Sequence, residues 1–168
     1  GHAAAAQREA EVGGQRAGLA AVSEELERGK EHIGHVRHAL EPATAEGGPG
    51  KGYGLIKAAN GAARHIGMAG EADDATDKAS THSPHVNTAA TNVASWAESA
   101  LEMGQQVQAT DDLATATELA GQIHESTQAI PNGVDANGHR RGGRPEGASA
   151  LALARTNRDV SASWWRCS

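Results

Sequence analysis

The stretch RAGLAAVSEELERGKEHIGHVRHAL, residues 16–40, decides the fold class of this chain. Its large apolar residues recur at about 100° per residue, which is the period of an α-helix with one apolar face. The residues on that face are Leu19, Val22, Leu26, Ile33, Val36 and Leu40. Pro42 follows the last of them, and proline disfavours helix continuation because it has no backbone N–H to donate. We therefore predict one helix over residues 16–40.

The same period recurs three more times, between Pro- and Gly-rich stops. Ser83 is a good N-cap with Pro84 at the first helical position, and Thr110 is a candidate cap for the last helix. We predict that Ala100 and Ala120 pack closely in the core. The predicted helices cover residues 54–72, 84–108 and 110–130.

Four helices joined by modest loops predict an all-α fold, an up-down-up-down four-helix bundle. We place the bundle at residues 16–131, after an N-terminal extension, 1–15. An irregular tail, 132–168, follows, with room for one short helix at 148–158. Trp164 and Trp165 are candidate anchors for docking the tail.

Length and composition limit the function classes. A chain of 168 residues suffices for one ordinary domain, and its lack of Phe together with its many alanines favours helices over strands. The formal net charge of −6 argues against nonspecific nucleic-acid binding. No run of about 18 apolar residues is present, so we expect no membrane-spanning helix.

Two short sequence motifs contain candidate metal ligands: HIGHV at 32–36 and HSPHV at 82–86. Each places two histidines three residues apart, which puts them on neighbouring parts of one helix face, with about 5–6 Å between Cβ atoms. The other two predicted helices carry one further histidine each, His65 and His124. A metal site needs several donors from different elements, and the interior of a bundle can bring them together.

We therefore predict a bundle-core metal site. Its centre is predicted to be His65, His85 and His124, with His35 or His32 completing it and His82 close by. The alternative for His124 is a core imidazole bonded to a backbone carbonyl or a hydroxyl. Imidazole and carboxylate donors suit a divalent transition metal, namely zinc, copper or nickel, with iron as a further option. We discount His2 and His139, since both fall in regions predicted to be flexible.

The words HIGHVRHAL, AARHIGMAGEA and HSPHV resemble the histidine-rich helical repeats of the bacterial small metal-binding protein family, over about residues 25–130. The resemblance implies a four-helix bundle that takes up divalent copper, nickel or zinc. It also implies a periplasmic or secreted location.

Two other motifs predict little. VDANGHRRGGRPEG is similar to an EF-hand loop at 135–146, with Asp135, Asn137 and Glu146 at oxygen-ligand positions, but Arg140 stands where the sharp turn needs glycine. We expect little calcium affinity there. The stretch GGPGKGYG at 47–54 lacks the spacing of a phosphate-binding loop, because Gly52 follows its lysine where Ser or Thr belongs.

Three functions stay open from the sequence. The first is a metal-binding or metal-buffering bundle. The second is a metal-dependent hydrolase of phosphoesters or esters, in which Glu31, Glu71 or Asp74 acts as base on a metal-activated water. The sequence contains neither a G-x-S-x-G elbow nor an H-E-x-x-H word to support it. The third is a structural or partner-binding bundle.

Overall fold

The computed structural model describes residues 1–132, and this part of the chain is helical without strands, which confirms the all-α fold class. A short 3-10 turn, Pro42–Thr44, interrupts the α-helices. The α-helices are α1, His2–Ala21; α2, Leu26–Leu40; α3, Leu55–Gly70; α4, Asp77–Ala109; and α5, Leu113–Asn132.

The predicted helix over residues 16–40 is wrong, because the chain breaks between α1 and α2. At the break, the Ser23 hydroxyl donates to the Leu19 carbonyl and the Ser23 N–H donates to the Ala20 carbonyl. Such local bonds compete with helix continuation. The apolar period runs through the break, yet Leu19 is 46% exposed and Val22 75% exposed.

Residues 2–15, predicted as an extension, form most of α1 and enter the core. Ala6, Ala10 and Ala17 are buried at helical spacing, and Gly13 and Gly14 between them are buried as well. These small residues allow neighbouring helices to approach closely. The bundle therefore begins at His2 instead of residue 16.

The predicted up-down-up-down order is not confirmed, because the consecutive helices α2 and α3 run parallel to each other. Gly13 of α1 faces Leu40 at the end of α2, whereas His2 at the start of α1 stacks on His65 of α3. Both helices are thus antiparallel to α1 and follow one another along its length. The long helix α4 then returns antiparallel to both, bonding first to α3 through Asn87 and later to α2 through Gln108.

The loop between α2 and α3 brings Gly54, just before α3, back to the end of α2. The two helices therefore run in the same direction, one after the other. A Cβ atom on Gly54 would lie 2.7 Å from Pro42 Cδ and 3.2 Å from the Leu40 carbonyl oxygen. Gly54 also has a φ of +85°, which glycine adopts at no steric cost. The contact between the two ends of the loop lets α3 continue in the direction of α2.

Helix α4 begins seven residues before its predicted start. The Thr76 hydroxyl accepts a hydrogen bond from the Ala79 N–H at 3.3 Å, so Thr76 and not Ser83 is the N-cap. Pro84 lies inside the helix.

At α5 the cap is also displaced. The Asp112 carboxylate accepts from the Thr115 N–H at 2.8 Å, two residues beyond the predicted cap Thr110. Hydrogen bonds from the hydroxyl and the N–H of Thr115 lower the pKa of Asp112 below its ordinary value.

The core is built from alanine with a few larger side chains. Ala100 and Ala120 are buried, as predicted, and the largest fully buried aliphatic side chains are Ile33, Leu40, Leu55, Ile123 and Ile130. In the described part of the chain, no helix has the length and apolarity that a membrane crossing requires. The predicted irregular tail lies outside the described residues, apart from residue 132 at the end of α5. The EF-hand-like loop and the tryptophan anchors lie outside them as well.

Candidate metal-binding histidines

The HIGHV word places His32 and His35 side by side on α2. Their ring centroids are 6.4 Å apart, and both side chains are half-buried. The Nδ1 atom of each ring is buried without a hydrogen-bond partner. Burial and then the charges of Arg16 and Arg28 lower the pKa of His32, with Glu31 opposing them. A lowered pKa keeps the imidazole neutral, which is the form that binds metals.

A second pair joins two helices. His65 on α3 is exposed, and its ring stacks on that of His2 in the first turn of α1, with centroids 5.0 Å apart and an interplanar angle of 26°. Gly61 makes room for this contact, since a Cβ atom there would lie 2.7 Å from the His2 ring. Among the described residues, this is the only contact between histidine rings from two different helices.

Tyr53 completes the surroundings of His2. Its hydroxyl lies 3.0 Å from His2 Nδ1, and the ammonium of Lys57 lies 4.9 Å from the centre of the phenol ring. Burial is the main cause that lowers the pKa of His2, followed by the charges of His65, the N-terminal amine and Lys57. The pair thus contains at least one imidazole that resists protonation.

His124 has a different environment. Its Nδ1 lies 2.8 Å from the carbonyl oxygen of Gly14, and its ring packs against Gly18, where a Cβ atom would lie 3.1 Å from Cε1. The ring therefore donates Nδ1–H to a backbone carbonyl across the α1–α5 interface. This matches the alternative predicted for His124, a core imidazole bonded to a backbone carbonyl.

The structure does not bring the predicted centre together. His65 lies beside residue 2 of α1, whereas His124 lies beside residues 14 and 18. A rise of about 1.5 Å per residue separates residues 2 and 14 by roughly 18 Å along the helix. His85 and its neighbour His82 are exposed on α4. Within residues 1–132, no group of three or more His, Cys, Asp or Glu side chains is arranged to hold a metal ion.

The carboxylates predicted as bases are exposed and dispersed. Glu71 and Asp74 lie in the connection between α3 and α4, and Glu31 lies on α2. Glu31 lines an open groove of about 500 Å³ whose lining residues include no histidine.

Sequence reasoning missed His2 and Tyr53. Ala6, Ala10 and Ala17 repeat at helical spacing and would have predicted α1, and with it an ordered His2. Nothing in the sequence points to the approach of Tyr53 to His2, because the two are 51 residues apart.

Comparisons of the chain with protein-family models, curated proteins and solved structures found no match.

Proposed function

We propose that this chain is a transition-metal-binding helical bundle that holds divalent ions at pairs of histidines. The proposal rests on one observation above all: His2 and His65, from different helices, meet with ring centroids 5.0 Å apart at a position open to solvent on the His65 side. Neutral imidazole is a good ligand for Zn²⁺, Cu²⁺ and Ni²⁺. The same chemistry agrees with the resemblance to the small metal-binding proteins.

The pairs favour metal buffering over catalysis. Zinc takes four ligands, and a histidine pair supplies two, so water would fill the remaining positions and the ion would exchange readily. The His32–His35 pair supports the same function, although its buried Nδ1 atoms lack the acceptors that usually orient metal-binding histidines. We therefore expect it to bind more weakly than His2 and His65.

The hydrolase alternative gains no support from residues 1–132. The open groove beside Glu31 is lined by no histidine, and Glu71 and Asp74 are exposed on a different connection. A metal-activated water would need a histidine pair, a carboxylate and a substrate cleft in one place.

Equilibrium dialysis of the untagged chain against Zn²⁺, Cu²⁺ and Ni²⁺, followed by elemental analysis, tests the proposal. We expect His65→Ala to remove the tightest bound ion and the pair of changes His32→Ala and His35→Ala to remove a weaker one. The control is His38→Ala, because His38 lies 3.4 Å from the Ala45 carbonyl oxygen and belongs to neither pair. Metal content that is the same in all these proteins would refute the proposal.

A further inference from the structure

Tyr53 stands beside the His2–His65 pair with its oxygen placed as a ligand would be. Two ligands of one ion, each about 2.0–2.1 Å from it at an angle of about 90–110°, are roughly 2.8–3.4 Å apart. The Tyr53 hydroxyl oxygen and His2 Nδ1 are 3.0 Å apart. An ion that replaces the shared proton would lie off the line between the two atoms and would contact both after a rotation of the His2 ring.

The position of Tyr53 is held by the protein around it. The carboxylate of Glu9, which is fully buried, accepts hydrogen bonds at Oε1 from the backbone N–H of Tyr53 at 3.2 Å and from that of Lys51 at 3.0 Å. The Lys57 ammonium lies over the phenol ring, 4.9 Å from its centroid. Glu9 is thus a positioning residue that fixes the backbone carrying Tyr53 against α1.

The third donor is His65, whose ring stacks on His2 and whose side chain is exposed. Two imidazole nitrogens with one phenol oxygen form a mixed N,O donor set. Such sets in tetragonal geometry are typical of Cu²⁺ or Ni²⁺, and Cu²⁺ binds most tightly among the first-row divalent ions.

We propose that His2, His65 and Tyr53 form a Cu²⁺ site in which the Tyr53 oxygen binds as phenolate. This inference rests on the proposed metal-binding function and extends it by a ligand and a preferred ion. On binding, the phenol O–H bond breaks, its proton passes to solvent and a copper–oxygen bond forms. The oxidation state of copper does not change, and one proton is released per ion from this ligand.

Titration of the full chain with Cu²⁺, followed by visible absorption, tests the site. The α-amino group should be acetylated, which removes the amine next to His2 as a competing donor. We expect a phenolate-to-Cu²⁺ charge-transfer band that saturates at one equivalent. Tyr53 is the single tyrosine of the chain, so a phenolate band has no other source. The band should persist in Cys167→Ser, which excludes a thiolate origin.

The Tyr53→Phe variant removes one oxygen atom and is the matched control. It should still bind Cu²⁺ through His2 and His65, but without the band and with one proton fewer released per ion. His65→Ala should lose the band and bind Cu²⁺ more weakly. Far-UV circular dichroism checks that each variant stays helical.

The outcomes separate the two proposals. Cu²⁺ binding that depends on His65, with no charge-transfer band in the wild-type chain, would overturn the role of Tyr53 and leave the proposed function standing. A band that survives in Tyr53→Phe would also overturn it. Failure of the wild-type chain to bind Cu²⁺, Zn²⁺ or Ni²⁺ would refute the proposed function itself.

Discussion

Two histidines lie against the same helix, α1, and their surroundings assign them opposite roles. His124 donates to the Gly14 carbonyl and fills the space left by Gly18, so its ring is committed to the α1–α5 interface. His65 stacks on His2 at the other end of α1, exposed. We assign His124 to the packing because its ring lies against Gly18 with no second imidazole in contact with it, and we assign His65 as a ligand because it meets a second imidazole near solvent.

The largest effect on stability is expected at Gly18, where α1 packs against His124. Gly18→Leu should lower the free energy of unfolding by about 2–3 kcal/mol, because the larger side chain must displace the His124 ring or separate α1 from α5. Gly121→Leu is the matched control, since a Cβ atom there has no neighbour within 4 Å. Urea denaturation compares the two. Equal stabilities would mean that α1 and α5 do not pack as closely as described.

The next largest loss of stability is expected from His124→Ala. It should cost about 1–2 kcal/mol of stability, because the Gly14 carbonyl loses its donor and the ring leaves a gap beside Gly18. His82→Ala, at an exposed position on α4, should change stability by less than about 0.5 kcal/mol. Thermal unfolding followed by circular dichroism measures both. A neutral His124→Ala would remove the structural role assigned to this ring.

A smaller effect is expected from pH. The pKa values of His2 and His32 are lowered in the folded chain, mainly by burial, so the unfolded chain binds more protons than the folded one near and below the ordinary histidine pKa of about 6.5. Protonation of these groups therefore favours the unfolded chain, so the free energy of unfolding should fall as pH falls from about 7.5 to about 5. The double variant His2→Gln, His32→Gln should show a weaker pH dependence of the melting temperature. An unchanged dependence would contradict the assignment.

The smallest effect on stability is expected at His65, the histidine proposed as a metal ligand. His65→Ala removes an exposed side chain without a backbone hydrogen bond, so stability should change by less than about 0.5 kcal/mol in the absence of metal. With metal present, the wild-type chain should gain stability that the variant lacks, because an ion that binds the folded state stabilises it. Thermal unfolding with and without Zn²⁺ measures both quantities. A large loss without metal would place His65 in the packing, like His124.

Helix bounds can be predicted where the apolar period ends at a proline or glycine. They cannot be predicted where the apolar period continues past a helix end or a cap signal lies inside a helix. The sequence predicts a helix over residues 54–72, and α3 occupies Leu55–Gly70. It does not predict the break at Ser23, because Leu19 and Val22 keep the helical period although both are exposed. It places the start of α4 too late, because Ser83 and Pro84 form a stronger cap signal than Thr76.

The candidate site could be predicted only in part, since contacts between distant segments leave no periodic trace. Helical spacing predicts that His32 and His35 lie side by side, and their ring centroids are 6.4 Å apart. The contact of His65 with His2 has no such signal, because His2 lies in a stretch of small residues for which flexibility is predicted. The direction of α3 could not be predicted either: it depends on the contact of Gly54 with Pro42, which a sequence does not display.

Isothermal titration of Zn²⁺ into three proteins tests the division of roles most directly: the wild-type chain, His65→Ala and His124→Ala. Because His65 is assigned as a ligand and His124 as part of the packing, His65→Ala should lose the tightest binding event. His124→Ala should retain it with unchanged affinity, provided that circular dichroism shows it folded at the titration temperature. Loss of binding in His124→Ala with retention in His65→Ala would contradict the account.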